Sequence, residues 1–298
     1  MTTCQKKTSS WKKPSHSKRP PARRMELLAP AHWRCIDFIS DLHLQADEPD
    51  TFQAWRHYLQ HTAADAVFIL GDLFEVWVGD DVLEGPRSPT DARFEADCVE
   101  VLRSAASRMH VYIMHGNRDF LMGPALMDAC ACTLLEDPTI LDISGQRWLL
   151  THGDALCLDD QEYMQFRSMV RDTPWQQDFL SQPLAKRLEL ARQMRSQSEA
   201  RKQADTVYAD VDVAAANASM DTLHANHMIH GHTHRPGNHP MGTGRERFVL
   251  SDWDLSALPP RAEVVRLYVP TTSQHNGTVR IERISPLSAH LIASTPEA

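Results

Sequence analysis

The chain has 298 residues, 42% of them apolar and 23% charged, a balance that excludes collagen-like, wholly disordered and disulfide-scaffold classes. Its formal net charge is −8, yet residues 1–24 carry eight Lys or Arg and no acid, so the remainder is more acidic than the total suggests. An acidic body argues against nucleic-acid binding, which depends on Lys and Arg contacts to phosphate, and suits the holding of metal ions.

Residues 1–33 are rich in Lys, Arg, Ser and Pro, show no hydrophobic period, and are predicted to form a disordered basic extension, with Met25 as an alternative first residue. One α/β domain is expected over 34–285. A strand is predicted at 35–40, then a helix at 51–63 with Phe52, Trp55 and Leu59 on one face, then a buried strand at 66–70. A second helix over 91–107 carries Phe94, Cys98, Val101 and Leu102, and a third strand follows at 110–114. Strands alternating with helices imply parallel pairing through right-handed crossovers. Residues 140–143 and 147–151 read as a hairpin about Ser144-Gly145. Residues 160–225 read as a helical insertion broken by Pro174 and Pro183. Strands return at 227–230, 247–250 and 264–269, and 286–298 reads as a loose tail.

The chemistry-bearing residues all follow strands. They are Asp41-Leu42-His43, Gly71-Asp72, Gly116-Asn117-Arg118-Asp119, His152-Gly153-Asp154 and Gly231-His232-Thr233-His234. In open α/β sheets ligands bind at the carboxyl ends of strands, so five such clusters are expected to converge on one site. In D-x-H and H-x-H, two ligands one residue apart point the same way from an extended chain. Mixed Asp, His and Asn donors suit Mn²⁺, Fe²⁺ or Zn²⁺. Asp41, His43, Asp72, Asn117, His152, His232 and His234 are too many for one catalytic ion, and fit two ions sharing a carboxylate.

The order D-x-H, G-D, G-N, H-G-D, G-H-x-H resembles that of the calcineurin-like metallophosphoesterases. The strings "DLHL", "ILGDLFEVWVGDD", "HGNRDFLMG", "THGDALCLDD" and "IHGHTHRP" are similar, more closely, to those of the UDP-2,3-diacylglucosamine hydrolase family of lipid A biosynthesis, over about residues 35–255. The resemblance implies a four-layer α-β-β-α sandwich with a helical lid over about 160–225. It implies two Mn²⁺ ions, the first held by Asp41, His43, Asp72 and His234 and the second by Asp72, Asn117, His152 and His232. It implies water attack on the α-phosphorus of UDP-2,3-diacylglucosamine, with Asp72, Asn117 and Arg118 in the catalytic set. Asn117, Arg118, Asp160, Ser198 and His232 match substrate-contacting positions, and Lys202 stands where the family has Asn.

Most relatives in the superfamily carry His after the G-N pair, whereas Arg118 stands here. A guanidinium cannot donate its proton near neutral pH but can clamp a phosphate with two hydrogen bonds. Two rivals remain: a phosphodiesterase for another nucleotide or phosphoester, and a metal-binding regulatory protein without turnover. Arg118 and the lid weigh against the first, and the complete ligand set against the second.

Asp80 and Asp81 read equally as partners of a ligand His or as solvated loop acids. The insertion interleaves large apolar residues with Arg167, Arg171, Lys186, Arg187, Arg192, Arg195, Arg201 and Lys202, which reads either as a core-facing cap or as an acyl-chain slot with cations for anionic headgroups. The six scattered cysteines fit reduced thiols in the cytoplasm. No apolar run approaches the roughly 18 residues of a membrane span, and the basic N-terminus lacks the apolar core of a secretory signal. The expectation is a monomer in peripheral contact with the cytoplasmic face of the inner membrane.

Overall fold

A computed structural model describes residues 25–84, 94–204, 210–242, 244–270 and 279–290, without the side chains of 25 and 195–204. Two six-stranded sheets are formed by twelve strands: β1 (Met25–Leu28), β2 (Cys35–Ile39), β3 (Ala66–Leu70), β4 (His110–Met114), β5 (Thr133–Leu135), β6 (Thr139–Ile143), β7 (Gln146–Thr151), β8 (His227–His230), β9 (Gly237–Gly242), β10 (Arg245–Val249), β11 (Val264–Tyr268) and β12 (Arg280–Ile284). One sheet has the order β12-β11-β2-β3-β4-β5 and the other β1-β6-β7-β8-β10-β9.

Alternation along the strands builds the layers. In β3, Ala66, Phe68 and Leu70 face the partner sheet, where they meet Leu141, Trp148, Leu150, Ile229 and Phe248. Val67 and Ile69 face outward, onto the apolar stripes of α1 (Pro49–His61), α2 (Phe94–Ala106) and α3 (Pro124–Cys130). The second sheet turns Ile140, Leu149 and Met228 outward against Ala216, Met220 and Leu223 of α7 (Val213–Leu223). The result is the α-β-β-α sandwich that the motif order implied, with β2 to β5 parallel and β6–β7 the expected hairpin.

Three boundaries are corrected. The extension placed at 1–33 ends earlier, because Met25–Leu28 pairs in parallel with β6. Arg147 fixes this strand by a 2.5 Å contact to Glu26, and Trp33 is fully buried. Four residues are too few to show a period, and residues 1–24 lie outside the described residues. The tail placed at 286–298 is corrected at its start: Pro286–Ser288 forms a turn, Ala289 is buried, and its carbonyl accepts from Arg266 at 2.8 Å, while residues 291–298 lie outside the described residues. The same arginine makes a fully buried pair with Asp37 at 2.6 and 2.8 Å.

Third, the helical region divides. Its last helix, α7, belongs to the sandwich, so the insertion proper is α4 (Gln161–Val170), α5 (Thr173–Leu180) and α6 (Leu184–Ala204). Prolines stand at the starts of these turns, as read: Pro174 lies in the first turn of α5 and Pro183 just before α6. Trp175, Phe179, Leu184 and Leu188 pack onto the core beneath α1 to α3.

Candidate metal centre

All five predicted clusters lie at the carboxyl ends of β2, β3, β4, β7 and β8, on the edge shared by the two sheets. The loops are tied to one another through their backbones. Leu42 and His43 N–H groups donate to the Asp72 carbonyl at 2.9 and 3.0 Å, and Gly231 N–H donates to the His152 carbonyl at 3.0 Å. The buried Asp119 carboxylate accepts from Leu73 and Gly116 N–H, both at 2.8 Å, so it joins the loop after β3 to the loop after β4.

The backbone here is strained. Asp41, His43, Asp72, His232 and His234 all have φ between 47° and 66°, and they make up five of the eight described non-glycine residues with positive φ. Left-handed conformation costs a non-glycine residue free energy, and such residues gather at functional sites. The picture of D-x-H and H-x-H on extended chain is therefore corrected: each pair sits in a turn just past its strand. A Cβ on Gly116 would collide with the Asp72 carboxylate, and one on Gly231 with that of Asp41.

Two groups of side chains offer donor atoms within 4.8 Å of one another: Asp41, His43 and His234, and Asp41, Asp72 and His152. Asp72 Oδ1 accepts Arg118 N–H at 2.8 Å. Its Oδ2 lies 3.9 Å from His43 Nε2 and 3.8 Å from His152 Nε2, midway between the two sides. Asp41 Oδ2 accepts from Ser40 Oγ at 2.5 Å and from His232 N–H at 2.9 Å, while Oδ1 faces His234 Nε2 at 3.3 Å. On the other side, Asn117 Oδ1 faces His152 Nε2 at 3.1 Å and His232 Nδ1 at 2.9 Å. So the two rings of H-x-H part company, His234 to the Asp41 side and His232 to the Asn117 side.

This donor set fits divalent ions. His152 Nδ1 contacts the Leu70 carbonyl at 2.9 Å, which fixes the proton there and turns the Nε2 lone pair toward Asn117 Oδ1 and Asp72. Carboxylate, amide and imidazole donor atoms converging on one space call for a cation among them, a proton on His152 Nε2 in the metal-free chain and a metal ion in its place. Electrostatics agree. Burial opposes charge on His152, but the Asp72, Asp41 and Asp154 carboxylates outweigh it and push the imidazole up to about 9. Burial would raise the Asp41 carboxyl, yet the imidazoles of His234, His152 and His43 hold it well below the usual range. Burial and the neighbouring His152 push His232 down to about 3, which keeps that ring neutral.

Arg118 lies beside this cluster, half-buried, with its Nη1 3.5 Å from Glu75; its buried Nε has no hydrogen-bond partner. Asp160 caps α4 through Tyr163 N–H at 2.9 Å, at the entrance to the insertion. Ser198 and Lys202 lie on α6, and their side chains are outside the described residues.

A model of the calcineurin-like phosphoesterases matches residues 36–236. UDP-2,3-diacylglucosamine hydrolase of Chromobacterium violaceum is 44% identical over 228 residues, covering 73% of this chain and 90% of that protein. The proteins of the same name from Bordetella pertussis and Pseudomonas aeruginosa are 43% and 42% identical, covering 74% and 73% of this chain and 87% and 90% of theirs. The chain belongs to the UDP-2,3-diacylglucosamine hydrolase family of calcineurin-like phosphoesterases. It is a metallophosphoesterase and a hydrolase, with residues placed for a dinuclear centre.

Two further neighbours of the centre, Glu75 and Asp252, were not singled out from sequence, whereas Asp154 belongs to the predicted H-G-D cluster. Glu75 Oε2 lies 2.8 Å from His43 Nδ1; its signal is a lone acid in the apolar run Phe74-Glu75-Val76-Trp77-Val78. Asp252 lies 3.7 Å from His234 Nδ1 and is gripped by Arg261 at 2.8 Å. Asp154, fully buried, accepts from Tyr163 Oη at 2.6 Å and Arg167 Nε at 2.8 Å.

Neither reading of Asp80 and Asp81 holds. Asp80 accepts from Trp77 Nε1, Gly123 N–H and Leu126 N–H, and so secures the start of α3. Asp81 pairs with Arg187. The insertion's basic residues are corrected in part as well. Arg167 reaches Asp154, Arg171 donates to the Gly116 carbonyl at 2.8 Å, and Arg187 donates to the Val78 carbonyl and Asp81. These three face the sandwich and fasten the insertion to the strand-end loops. Among the described residues, no helix is long and apolar enough to cross a membrane.

Proposed function

We propose that the chain hydrolyses the pyrophosphate of UDP-2,3-diacylglucosamine, giving UMP and 2,3-diacylglucosamine 1-phosphate. The observation that carries this reading is the pairing of the Asp41–Asp72 cluster with an adjacent, partly unpartnered Arg118 guanidinium, in a chain 42–44% identical to proteins of that name.

Asp41, His43, Asp72 and His234 would hold one ion, and Asp72, Asn117, His152 and His232 the other, with Asp72 Oδ2 between them. Mn²⁺ suits these mixed nitrogen and oxygen donors. Two such ions, when bound, supply a nucleophilic water at neutral pH and electrostatic stabilisation of the phosphoryl oxygens. Arg118 binds the non-bridging oxygens of the cleaved phosphate and holds its charge without donating a proton. The strained loops hold Asp41, Asp72 and the imidazoles in place before substrate arrives, so little reorganisation is needed on binding. The oxygen of water bonds to the α-phosphorus, the bond from that phosphorus to the bridging oxygen breaks, the sugar 1-phosphate leaves with the bridging oxygen and its electron pair, UMP keeps the α-phosphorus, and the protons of the water pass to solvent.

Asp160 and His232 are assigned to substrate contact, as are Ser198 and Lys202, whose side chains lie outside the described residues, and the insertion serves as the lid over the diacylated sugar. The working form is a monomer that meets its lipid substrate peripherally at the cytoplasmic face of the inner membrane. Purified chain, loaded with Mn²⁺ and given UDP-2,3-diacylglucosamine, should release UMP in stoichiometric amount with the sugar 1-phosphate. Absence of UMP, together with turnover of an unrelated phosphodiester in the same panel, would overturn the substrate.

A further inference from the structure

Glu75 is a buried acid to which the proposed reaction gives no role. It stands three residues after Asp72, and its N–H donates to the Leu44 carbonyl at 3.2 Å, which sets its backbone against the turn that carries His43. Its two carboxylate oxygens face different groups. Oε2 is 2.8 Å from His43 Nδ1, and Oε1 is 3.5 Å from Arg118 Nη1.

Each contact has a distinct consequence. The Oε2 contact is an ion-pair approach outside hydrogen-bond alignment, and a carboxylate this close to Nδ1 draws the ring proton to that side by its charge, so the Nε2 lone pair is the one presented to a metal and the ring is a stronger ligand. His43 Nε2 is the atom that faces Asp72. The ion pair to Arg118 restrains a guanidinium whose Nε is otherwise unpartnered, and so sets where its free donors point. His152, across the centre, has its Nδ1 on the Leu70 carbonyl instead.

We propose that Glu75 is a positioning residue that couples one half of the metal centre to the phosphate clamp. It aligns His43 for the ion on the Asp41 side and Arg118 for the substrate phosphate, and leaves the His152 side untouched. The proposal rests on the two-ion reading above.

The test titrates Mn²⁺ into metal-free wild type, Glu75→Ala, Glu75→Gln, Arg118→Ala and the Glu75→Ala/Arg118→Ala double variant, and measures kcat and KM of each loaded form. Glu75→Ala should weaken one of two Mn²⁺ equivalents by about 10–100-fold, the range for loss of a carboxylate behind a ligand His, and leave the other unchanged. Glu75→Ala should also raise KM by freeing Arg118, and Glu75→Gln, which keeps the volume and a polar oxygen beside Nδ1 but loses the charge facing Arg118, should recover most of the metal affinity and keep the raised KM. The KM rise caused by Glu75→Ala should vanish in the Arg118→Ala background, because its intermediary is already gone. Should Glu75→Ala fail to fold, Glu75→Gln against wild type decides the KM arm. Two unchanged equivalents, equal weakening of both, or strictly additive KM effects would overturn the role of Glu75. A wild type that binds no Mn²⁺ overturns the two-ion reading and this role with it.

Discussion

The strand-end edge and the helical insertion face each other, and they are held in opposite ways. At the edge, function is written in the backbone: short motifs, left-handed aspartates and histidines, and glycines whose neighbours leave no space for a Cβ. The insertion has regular helices, and it is attached by long side chains, Arg167 to Asp154, Arg171 to the Gly116 carbonyl and Arg187 to Asp81 and the Val78 carbonyl. Strained backbone fixes atoms closely and tolerates little change. Arginine clasps fix a helix less tightly and can be released one at a time. Chemistry that needs fixed ligands therefore belongs to the edge, and on the proposed reading the clasped helices are the cover that admits the lipid-bearing substrate.

The hardest blow to the edge is Asp72→Ala. This residue is buried, lies between His43 and His152, and accepts Arg118 N–H. Its loss should remove at least one ion and lower kcat by about 10³-fold or more, since several kcal/mol of charge stabilisation go with it. Metal analysis of the purified variant alongside the activity assay checks both parts. Unchanged turnover would break the assignment of the edge as the reaction site.

Arg118→Ala separates clamp from cluster. A guanidinium offers no lone pair to a metal ion, so both ions should remain while activity falls by about 10²–10³-fold, the usual cost of one donor aimed at developing charge. If metal content fell in step with activity, Arg118 would belong to the ligand scaffold instead of the phosphate site.

The same contrast explains what was legible in the sequence. Asp41, His43, Asp72, Asn117, His152, His232 and His234 could be found because each lies within four residues of a strand end, and a strand end is visible as a buried run followed by polar residues and glycine. The sandwich was implied by the family resemblance, whereas 66–70, an unbroken apolar run, reads by itself only as a buried strand. The attachment of the insertion was not legible. Whether Arg187 meets a lipid phosphate or Asp81 depends on a partner 106 positions away, and no periodicity encodes it. Glu75 and Asp252 escaped because a single acid near a motif looks like any loop acid until its distance to an imidazole is known. Met25–Leu28 escaped because pairing with β6, not its own pattern, makes it a strand.

Arg187→Ala attacks the clasp. The guanidinium is buried and satisfies the Val78 and Gln182 carbonyls as well as Asp81, so its loss leaves buried acceptors unpaired at about 1–3 kcal/mol. Because the clasp holds the cover and not the ligands, KM should rise several-fold with kcat and metal content nearly unchanged. Proteolysis should then cut first within α4 to α6. A fall in kcat without a rise in KM would mean that the insertion shapes the reaction centre directly.

The smallest effect is a single proton. In the metal-free chain, the carboxylates of Asp72, Asp41 and Asp154 outweigh burial and push His152 up to about 9. At about pH 7 its ring therefore carries a proton, and a metal ion, which needs the neutral imidazole, has to displace it. Loading should release about one proton from this ring near neutrality and none once the pH exceeds about 10, and metal affinity should rise with pH through that interval. His232, pushed down to about 3, is already neutral and should release none. Calorimetric titrations in two buffers of different ionisation enthalpy give the proton count, and His152→Ala should lower it by about one, with any remainder from His43, which its neighbouring carboxylates also push up against burial. A count that stayed the same from about pH 7 to about pH 10 would place the proton on another group and weaken the link between the buried carboxylates and the metal they are arranged to hold.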